Sequence, residues 1–155
     1  MHEAAHAVIG RRMGWLCGSV TIIPKGNLLG FCESASPWET LEAWQRTGRP
    51  RRLRSILLGK MISWMAGAAA EQLFLGSARY AIDDMMNVEE VAAEYFPDLG
   101  FDHLYDRLSP MTDYLVRHHE SLIRQVACRL TERGTIDSLE ANSLIGSKIG
   151  AYLPA

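Results

Sequence analysis

The feature that most constrains the fold is a long apolar segment with a helical pattern, which runs from Leu53 to Phe74. Its second half carries the run of small residues "AGAAA", and small side chains allow a second helix to approach closely. Lys60 and Glu71 interrupt the segment, so it does not reach the roughly 18 uninterrupted apolar residues typical of a membrane span. We therefore predict a buried helix with a close helical neighbour, and no membrane span.

Shorter patterns on both sides of this segment predict a mainly α (α+β) chain with one small β-hairpin. In "VTIIPKGNLLGFC", two strand-forming runs flank the turn residues Pro24 to Asn27, which predicts the hairpin. Four further helices are expected: Glu3 to about Gly14, Asp83 to about Phe96, Ser109 to Gly134, and a short one from Asp137. The helix from Asp83 is predicted to have an aspartate cap, and the helix from Ser109 to start with a cap and a proline. Residues 1–155 show no internal repeat and are predicted to form a single domain.

Composition narrows the class of protein. The formal net charge of −2 argues against a nucleic-acid-binding protein, which normally has a clear basic excess on one face. Three cysteines at wide spacings predict no disulfide framework and favour a cytoplasmic protein, and the first residues do not form a signal peptide. One basic cluster is interpreted as a solvated loop and helix start: Arg49, Arg51, Arg52 and Arg54.

The clearest chemistry lies in "HEAAH", an H-E-x-x-H motif near the start of the chain. His2 and His6 are four residues apart and project from one face of a helix, so both can bind a single Zn²⁺ at about 2.0–2.1 Å. Glu3 can then accept a proton from a water molecule at the metal as that water attacks a carbonyl group. The motif thus indicates a zinc hydrolase with Glu3 as its general base.

The third protein ligand is left open by the motif itself. The metzincin pattern is excluded, because Ile9 and Arg12 stand where that pattern requires glycine and histidine. The spacing permits either a thermolysin-like glutamate or an aspartate near the start of a downstream helix. The acidic candidates are Glu33, Glu71, Asp83 and Asp84.

Several blocks of the sequence, in matching order, resemble the zinc peptidase domain of the FtsH-type ATP-dependent proteases. "HEAAHAVIG" is similar to the HEAGHA block of that family, and "VTIIPKGNLLGF" to its TIIPRG-x-x-LG hairpin. "MAGAAAEQLFLG" resembles the GGRAAEE-x-x-FG helix, and "AIDDMMNVEEVA" resembles the G-A-x-N-D-L helix whose aspartate completes the zinc site. The resemblance implies a helical peptidase domain with a small edge sheet beside the HExxH helix.

Carried over residue by residue, the resemblance implies that His2, His6 and Asp84 are the zinc ligands. It implies that Glu3 is the general base. Asp84 takes the aspartate position of the N-D-L sequence, whereas Asp83 takes the position of the asparagine. Glu71 matches the first glutamate of the A-E-E run, where it would orient a ligand histidine through the ring N–H.

The resemblance also implies a function, a zinc-dependent metalloendopeptidase that hydrolyses unfolded or flexible polypeptides. The strand around Ile22 to Phe31 would bind the polypeptide by edge pairing, and Trp38 and Trp44 lie on the loop beside the inferred cleft. The sequence has no G-x-x-x-x-G-K-[ST] loop, so ATP-dependent peptidase activity would need a separate ATPase as a partner. The rings formed by that family suggest a homo-oligomer.

The alternative function is a catalytically weak or inactive module of the same fold, which acts in assembly or partner binding. Its motivation is the position of His2 in the first turn of the predicted helix, because helix ends fray and hold a ligand less firmly. Metal content would separate the two hypotheses, since a peptidase of this kind must bind about one ion per chain.

Overall fold

The computed structural model describes residues 1–27, 29–34, 42, 50–78 and 81–146. These residues form a mainly helical fold with one small three-stranded antiparallel sheet, which confirms the predicted fold class. The elements in chain order are α1 (His2–Arg12), β1 (Cys17–Thr21), β2 (Phe31–Ser34), α2 (Pro50–Leu75), α3 (Ile82–Tyr95), α4 (Phe101–His118), α5 (Glu120–Arg133), β3 (Thr135–Ile136) and α6 (Ser138–Ile145). None of the helices in these ranges is both long enough and apolar enough to cross a lipid bilayer.

Helix α2 is the centre of the fold, as its apolar sequence predicts. Leu57, Met61 and Ala70 on this helix are fully buried, and α1, α3 and α4 all pack against it. Helix α1 approaches so closely that a Cβ added at Gly10 would lie 2.8 Å from Ser63 Oγ on α2. Each large apolar side chain buried in this way stabilises the fold by about 1.5–3 kcal/mol, so the α1–α2 contact holds the N-terminal helix firmly in place.

The predicted hairpin is present as strands β1 and β2. The chain leaves α1 through Gly14, whose φ of 94° is a conformation that glycine adopts without a Cβ clash, and then enters β1. Val20 lies opposite Cys32, and the register shifts between Cys17 and Val20, as expected at a β-bulge. The strand order β2-β1-β3 leaves β2 at one edge of the sheet formed by the described residues.

The third strand joins the C-terminal part of the chain to this hairpin and is absent from the sequence-based prediction. In β3, Ile136 pairs with Val20 of β1. The sequence does not predict this strand because two residues are too few to show an alternating pattern. Helix α6 strengthens the junction, because Ser138 Oγ and Asn142 Nδ2 donate hydrogen bonds to the carbonyl oxygen of Cys17 at 2.8 and 2.7 Å. Residues 135–145 therefore hold β1 in position.

The prediction of a third helix starting at Ser109 is wrong in its start and in its continuity. Helix α4 begins at Phe101, so Pro110 lies in its interior, and His119 separates α4 from α5. An interior proline removes one backbone hydrogen bond, but Leu108 and Leu115 are buried on either side of it. Tertiary packing of the amphipathic face therefore outweighs the local preference of proline for a helix start.

The aspartate cap predicted for the helix from Asp83 is wrong, whereas the short helix predicted from Asp137 does begin with an aspartate cap. Asp137 caps α6, because its side chain accepts a hydrogen bond from the backbone N–H of Glu140 at 2.8 Å. Helix α3 instead follows Ala81, with no side-chain hydrogen bond at its cap, and Asp83 and Asp84 both lie in its first turn. Negative charge in a first turn interacts favourably with the helix dipole, so these carboxylates suit their positions without acting as caps.

Candidate metal centre

Helix α1 presents two histidine rings to helix α2 at the point where α2 has no side chain. The ring centroids of His2 and His6 are 4.5 Å apart. A Cβ added at Gly67 of α2 would lie 2.5 Å from His6 Nε2 and 2.6 Å from His2 Nε2, far inside van der Waals contact. Gly67 is therefore the residue that leaves room for both imidazoles between the two helices.

The third member of the cluster is Asp84, which comes from the first turn of α3. Its Oδ2 atom lies 3.1 Å from His2 Nε2 and 3.1 Å from His6 Nε2, and the two nitrogens are 2.9 Å apart. One ligand atom from each of the three residues lies within 4.8 Å of the others, a grouping that could hold a metal ion. The structure thus brings together the three residues that the sequence analysis expected to act as ligands.

The other acidic candidates occupy different positions. Glu33 lies on the sheet, where its carboxylate accepts hydrogen bonds from the backbone N–H and the hydroxyl of Ser19 at 3.2 and 3.0 Å. Asp83 is exposed on the wall of the adjoining cleft. Glu71 Oε1 lies 3.1 Å from Nδ1 of His2, the ring nitrogen that faces away from Asp84. Glu71 therefore contacts a member of the cluster and orients its ring.

Hydrogen bonds on the outer side of each ring determine which nitrogen carries the proton. His2 Nδ1 faces the Glu71 carboxylate, and His6 Nδ1 lies 2.7 Å from the carbonyl oxygen of Ser63. Both of these oxygens accept hydrogen bonds, so each neutral ring carries its proton on Nδ1 and directs a lone pair from Nε2. Two nitrogen lone pairs and the Asp84 carboxylate then converge on one point. Such a group is stable only around a shared cation, whether a metal ion or a proton.

The size and donor chemistry of the cluster fit a divalent metal ion. Ligand bonds of about 2.0–2.1 Å in a tetrahedral site place neighbouring ligand atoms about 3.3 Å apart. The three observed separations are 2.9, 3.1 and 3.1 Å, so the side chains need to open by only a few tenths of an ångström. Two imidazole nitrogens and one carboxylate oxygen form a donor set typical of zinc sites that keep a fourth position open.

Burial and mutual contact shift the pKa values of the site carboxyls in opposite directions. Burial alone would raise the pKa of Asp84, but its contacts with the His2 and His6 rings outweigh burial and lower this pKa to about 2. Burial raises the pKa of Glu3, and the two nearby histidines offset only part of that increase. Asp84 is therefore ionised at neutral pH, whereas Glu3 is a stronger base than an exposed glutamate.

The cluster opens into a cleft of about 590 Å³. Glu3 lines this cleft, and a Cβ added at Gly30 would lie 3.2 Å from Glu3 Oε1, so the chain just before β2 approaches the carboxylate closely. Apolar side chains that are exposed to solvent form much of the wall, namely Ile22, Leu29, Phe31 and Ile82. The cleft thus places an apolar surface and an edge strand next to the cluster.

Parts of the sequence interpretation lie outside the described residues, namely Trp38, Trp44, Arg49 and the side chains of Arg51 and Arg52. The loop on which Trp38 and Trp44 lie falls largely in the same part of the chain. Arg54, the remaining member of the basic cluster, forms an exposed ion pair with Asp98 at 3.0 Å. An exposed pair of this kind matches the interpretation of that residue as a solvated one.

Sequence reasoning missed two residues of α2 that shape the site, Gly67 and Ser63, and the burial of a lysine on the same helix. Gly67 lies in a run of small residues that share the same pattern, so its special position becomes evident only when the histidine rings are in place. Ser63 acts through its backbone carbonyl, which every residue type possesses. Lys60 is buried with its ammonium 5.0 Å from the Trp15 ring and 5.3 Å from the Trp64 ring, and burial lowers its pKa.

Comparison with protein-family models gives no match to this chain, and comparison with curated proteins gives none either. The resemblance of its sequence blocks to FtsH-type peptidases therefore stays a prediction. Functional inference depends on the geometry of the cluster and on the cleft beside it.

Proposed function

We propose that the chain is a zinc-dependent metalloendopeptidase that hydrolyses peptide bonds in unfolded or flexible polypeptides. The observation that carries this proposal is the convergence of His2 Nε2, His6 Nε2 and Asp84 Oδ2 within 3.1 Å of one another, at the floor of a cleft. The resemblance to the FtsH-type peptidase domain supports the same residues from sequence alone.

In this proposal, His2, His6 and Asp84 hold the ion, and Glu71 and the Ser63 carbonyl keep the two rings in the binding tautomer. Zinc bound there supplies Lewis-acid polarisation of the scissile carbonyl and lowers the pKa of water. The negative charge of Asp84 reduces the net charge of the loaded site.

Glu3 acts as the general base. It follows a proposed ligand directly in the sequence, lines the same cleft, and lies opposite Gly30 at the entrance to β2. From this position its carboxylate takes a proton from the attacking water and delivers it to the amine nitrogen that leaves. Positioned acid–base groups of this kind typically accelerate a reaction by about 10²–10⁴-fold.

The proposed substrate is an extended polypeptide because the cleft is bordered by the sheet edge. Strand β2 has a neighbour on one side in the described sheet, so its other side can pair with a peptide backbone. Backbone pairing recognises chain conformation more than sequence, which suits unfolded or flexible substrates. Folded substrates would require a separate ATPase, since the chain has no phosphate-binding loop motif.

The test is cleavage of an unfolded casein-type peptide by zinc-loaded protein, with and without a chelator. We expect about one zinc ion per chain and cleavage that the chelator abolishes. Glu3→Gln should keep the zinc and lose at least about 100-fold in cleavage rate. Glu33→Gln is the matched control, because the Glu33 carboxylate accepts a hydrogen bond from Ser19 on the sheet. The cleavage rate of this variant should equal that of the parent.

Two results would contradict the proposal in different ways. Protein that binds zinc stoichiometrically but gives no chelator-sensitive cleavage would favour the non-catalytic module instead. Protein that binds no zinc when it is folded and supplied with excess metal would remove the metal centre and the peptidase together. Zinc content of the parent separates these cases, and Asp84→Ala then tests the ligand assignment, since it should abolish zinc binding only if Asp84 is a ligand.

A further inference from the structure

We propose that Cys17 and Cys32 form a thiol–disulfide site, a reversible modification site that joins β1 to β2. Their sulfur atoms are 3.9 Å apart, although the residues are 15 positions apart in the sequence. The proposal is independent of zinc binding, because neither cysteine belongs to the metal cluster. It also revises the expectation, drawn from sequence spacing, of no disulfide.

The two side chains lie on the same face of the hairpin. Cys17 is opposite Ser34, and Cys32 is two residues before Ser34 on β2, so the cysteines form a diagonal cross-strand pair. A disulfide has a bond length of about 2.0 Å, so the sulfurs must approach by roughly 2 Å, a movement that side-chain rotation can supply. Cys17 is 3% exposed, whereas Cys32 is half-buried, so a small reagent reaches the pair through Cys32.

A buried positive charge favours ionisation of this pair. Arg11 of α1 is buried, and its Nε atom has no hydrogen-bond partner among the described residues. The contact with Cys32 and, to a smaller extent, the charge of Arg11 lower the pKa of Cys17, whereas the same contact raises the pKa of Cys32. Cys17 is therefore the more readily ionised member of the pair, and its thiolate is suited to attack a mixed disulfide that forms at Cys32.

The reaction partner is a low-molecular-weight disulfide, for which oxidised glutathione is the probe. Cys32 is the member that the probe can reach. Its thiol loses a proton to solvent, and its sulfur attacks one sulfur of the probe, which breaks the S–S bond of the probe, forms a mixed disulfide and releases one molecule of the small thiol. The Cys17 thiolate then attacks the Cys32 sulfur, forms the Cys17–Cys32 bond and releases the second small thiol. The two protein thiols lose two protons and two electrons, and the probe gains them as two thiols.

The experiment uses Cys128→Ser protein, which removes the exposed third cysteine and keeps both members of the pair. The folded protein is incubated with excess oxidised glutathione, its remaining thiols are blocked, and it is digested with trypsin. Trypsin cuts after Lys25, which lies between the two cysteines, so a disulfide appears as two tryptic peptides joined together. We expect this cross-linked species to predominate and to disappear on reduction.

Two further variants in the same background check the order of events. Cys17→Ala should accumulate a glutathione adduct on Cys32, and Cys32→Ala should leave Cys17 unmodified because it is buried. The cross-linked protein should also melt about 5–10 °C higher than its reduced form, since the bond closes a loop of some 15 residues. A stable glutathione adduct on Cys32 in the Cys128→Ser protein, or two unreacted thiols, would overturn the proposal.

Discussion

Replacement of Gly67 by alanine tests the histidine arrangement directly. The new methyl group would lie 2.5 Å from His6 Nε2, whereas ordinary van der Waals contact begins near 3.4 Å, so the ring must retreat by about 0.9 Å. Zinc–ligand distances tolerate only about 0.2 Å of error. We therefore expect zinc affinity to fall at least as far as it does when a partner of a ligand is removed, about 10–100-fold. That loss corresponds to roughly 1.4–2.7 kcal/mol of binding free energy.

In the absence of zinc, the unfolding free energy of Gly67→Ala should differ only modestly from that of the parent. Alanine is favoured over glycine inside a helix by about 1 kcal/mol, and overpacking of a tight contact costs about 1–3 kcal/mol. The two effects oppose each other, so the unfolding free energy of Gly67→Ala without zinc should fall by about 2 kcal/mol at most. The loss of unfolding free energy in Gly67→Ala should therefore be larger with zinc present than without it.

Gly59→Ala is the matched control on the same helix. A Cβ at Gly59 would lie 3.4 Å from the nearest atom, Met13 Cβ, so the site accepts a methyl group. This variant should bind zinc like the parent and gain up to about 1 kcal/mol in stability. Zinc affinity is measured by competition with a chromophoric chelator, and stability by denaturant unfolding with and without zinc. Parental zinc affinity in Gly67→Ala would refute the placement of the rings against α2.

Three further predictions concern other contacts. Glu71→Ala should weaken zinc binding about 10–100-fold in the same competition assay, and Glu71→Gln should recover part of that affinity, because Glu71 orients the His2 ring. Equal zinc affinities for the parent, Glu71→Ala and Glu71→Gln would contradict this role of Glu71. Burial, Arg12 and His118 lower the pKa of His119 to about 4, so this residue binds more protons in the unfolded chain than in the folded one between about pH 6.5 and pH 4. Stability should therefore decrease as the pH falls through this range, and His119→Gln should flatten that part of the stability curve measured by urea unfolding; an unchanged slope would show that His119 is not the source. Asp137→Ala removes the cap of α6 and should cost about 1 kcal/mol of unfolding free energy, whereas Asp83→Ala, which caps nothing, should cost clearly less.

Local patterns in the sequence were the reliable part of its interpretation. The spacing of His2 and His6 places both rings on one face within a single helical turn. The predicted helix start at Asp137 likewise depends on a hydrogen bond to a residue only three positions later. The buried helix α2 is likewise visible in its own composition. In each case the physical cause, a helical period or a capping hydrogen bond, acts between residues that are close in the chain.

Long-range features could not be derived in the same way. The contact of Asp84 with His2 joins residues 82 positions apart, and sequence spacing alone left four acidic candidates; only the resemblance to a family singled out Asp84. The interior position of Pro110 and the two-residue strand β3 depend on packing against distant elements. That the cluster binds zinc and that the chain cleaves peptides both stay predictions.

The junction of β3 and α6 with β1 has a consequence for synthesis of the chain. The carbonyl of Cys17 receives its partners from Ser138 and Asn142, more than 120 positions later. On a ribosome, the histidines therefore emerge first, but the sheet that borders their cleft gains its last supports only when the final described helix has left the exit tunnel. A chain that folds in this order would have a fully supported sheet beside its cleft only after residues 138–145 have emerged.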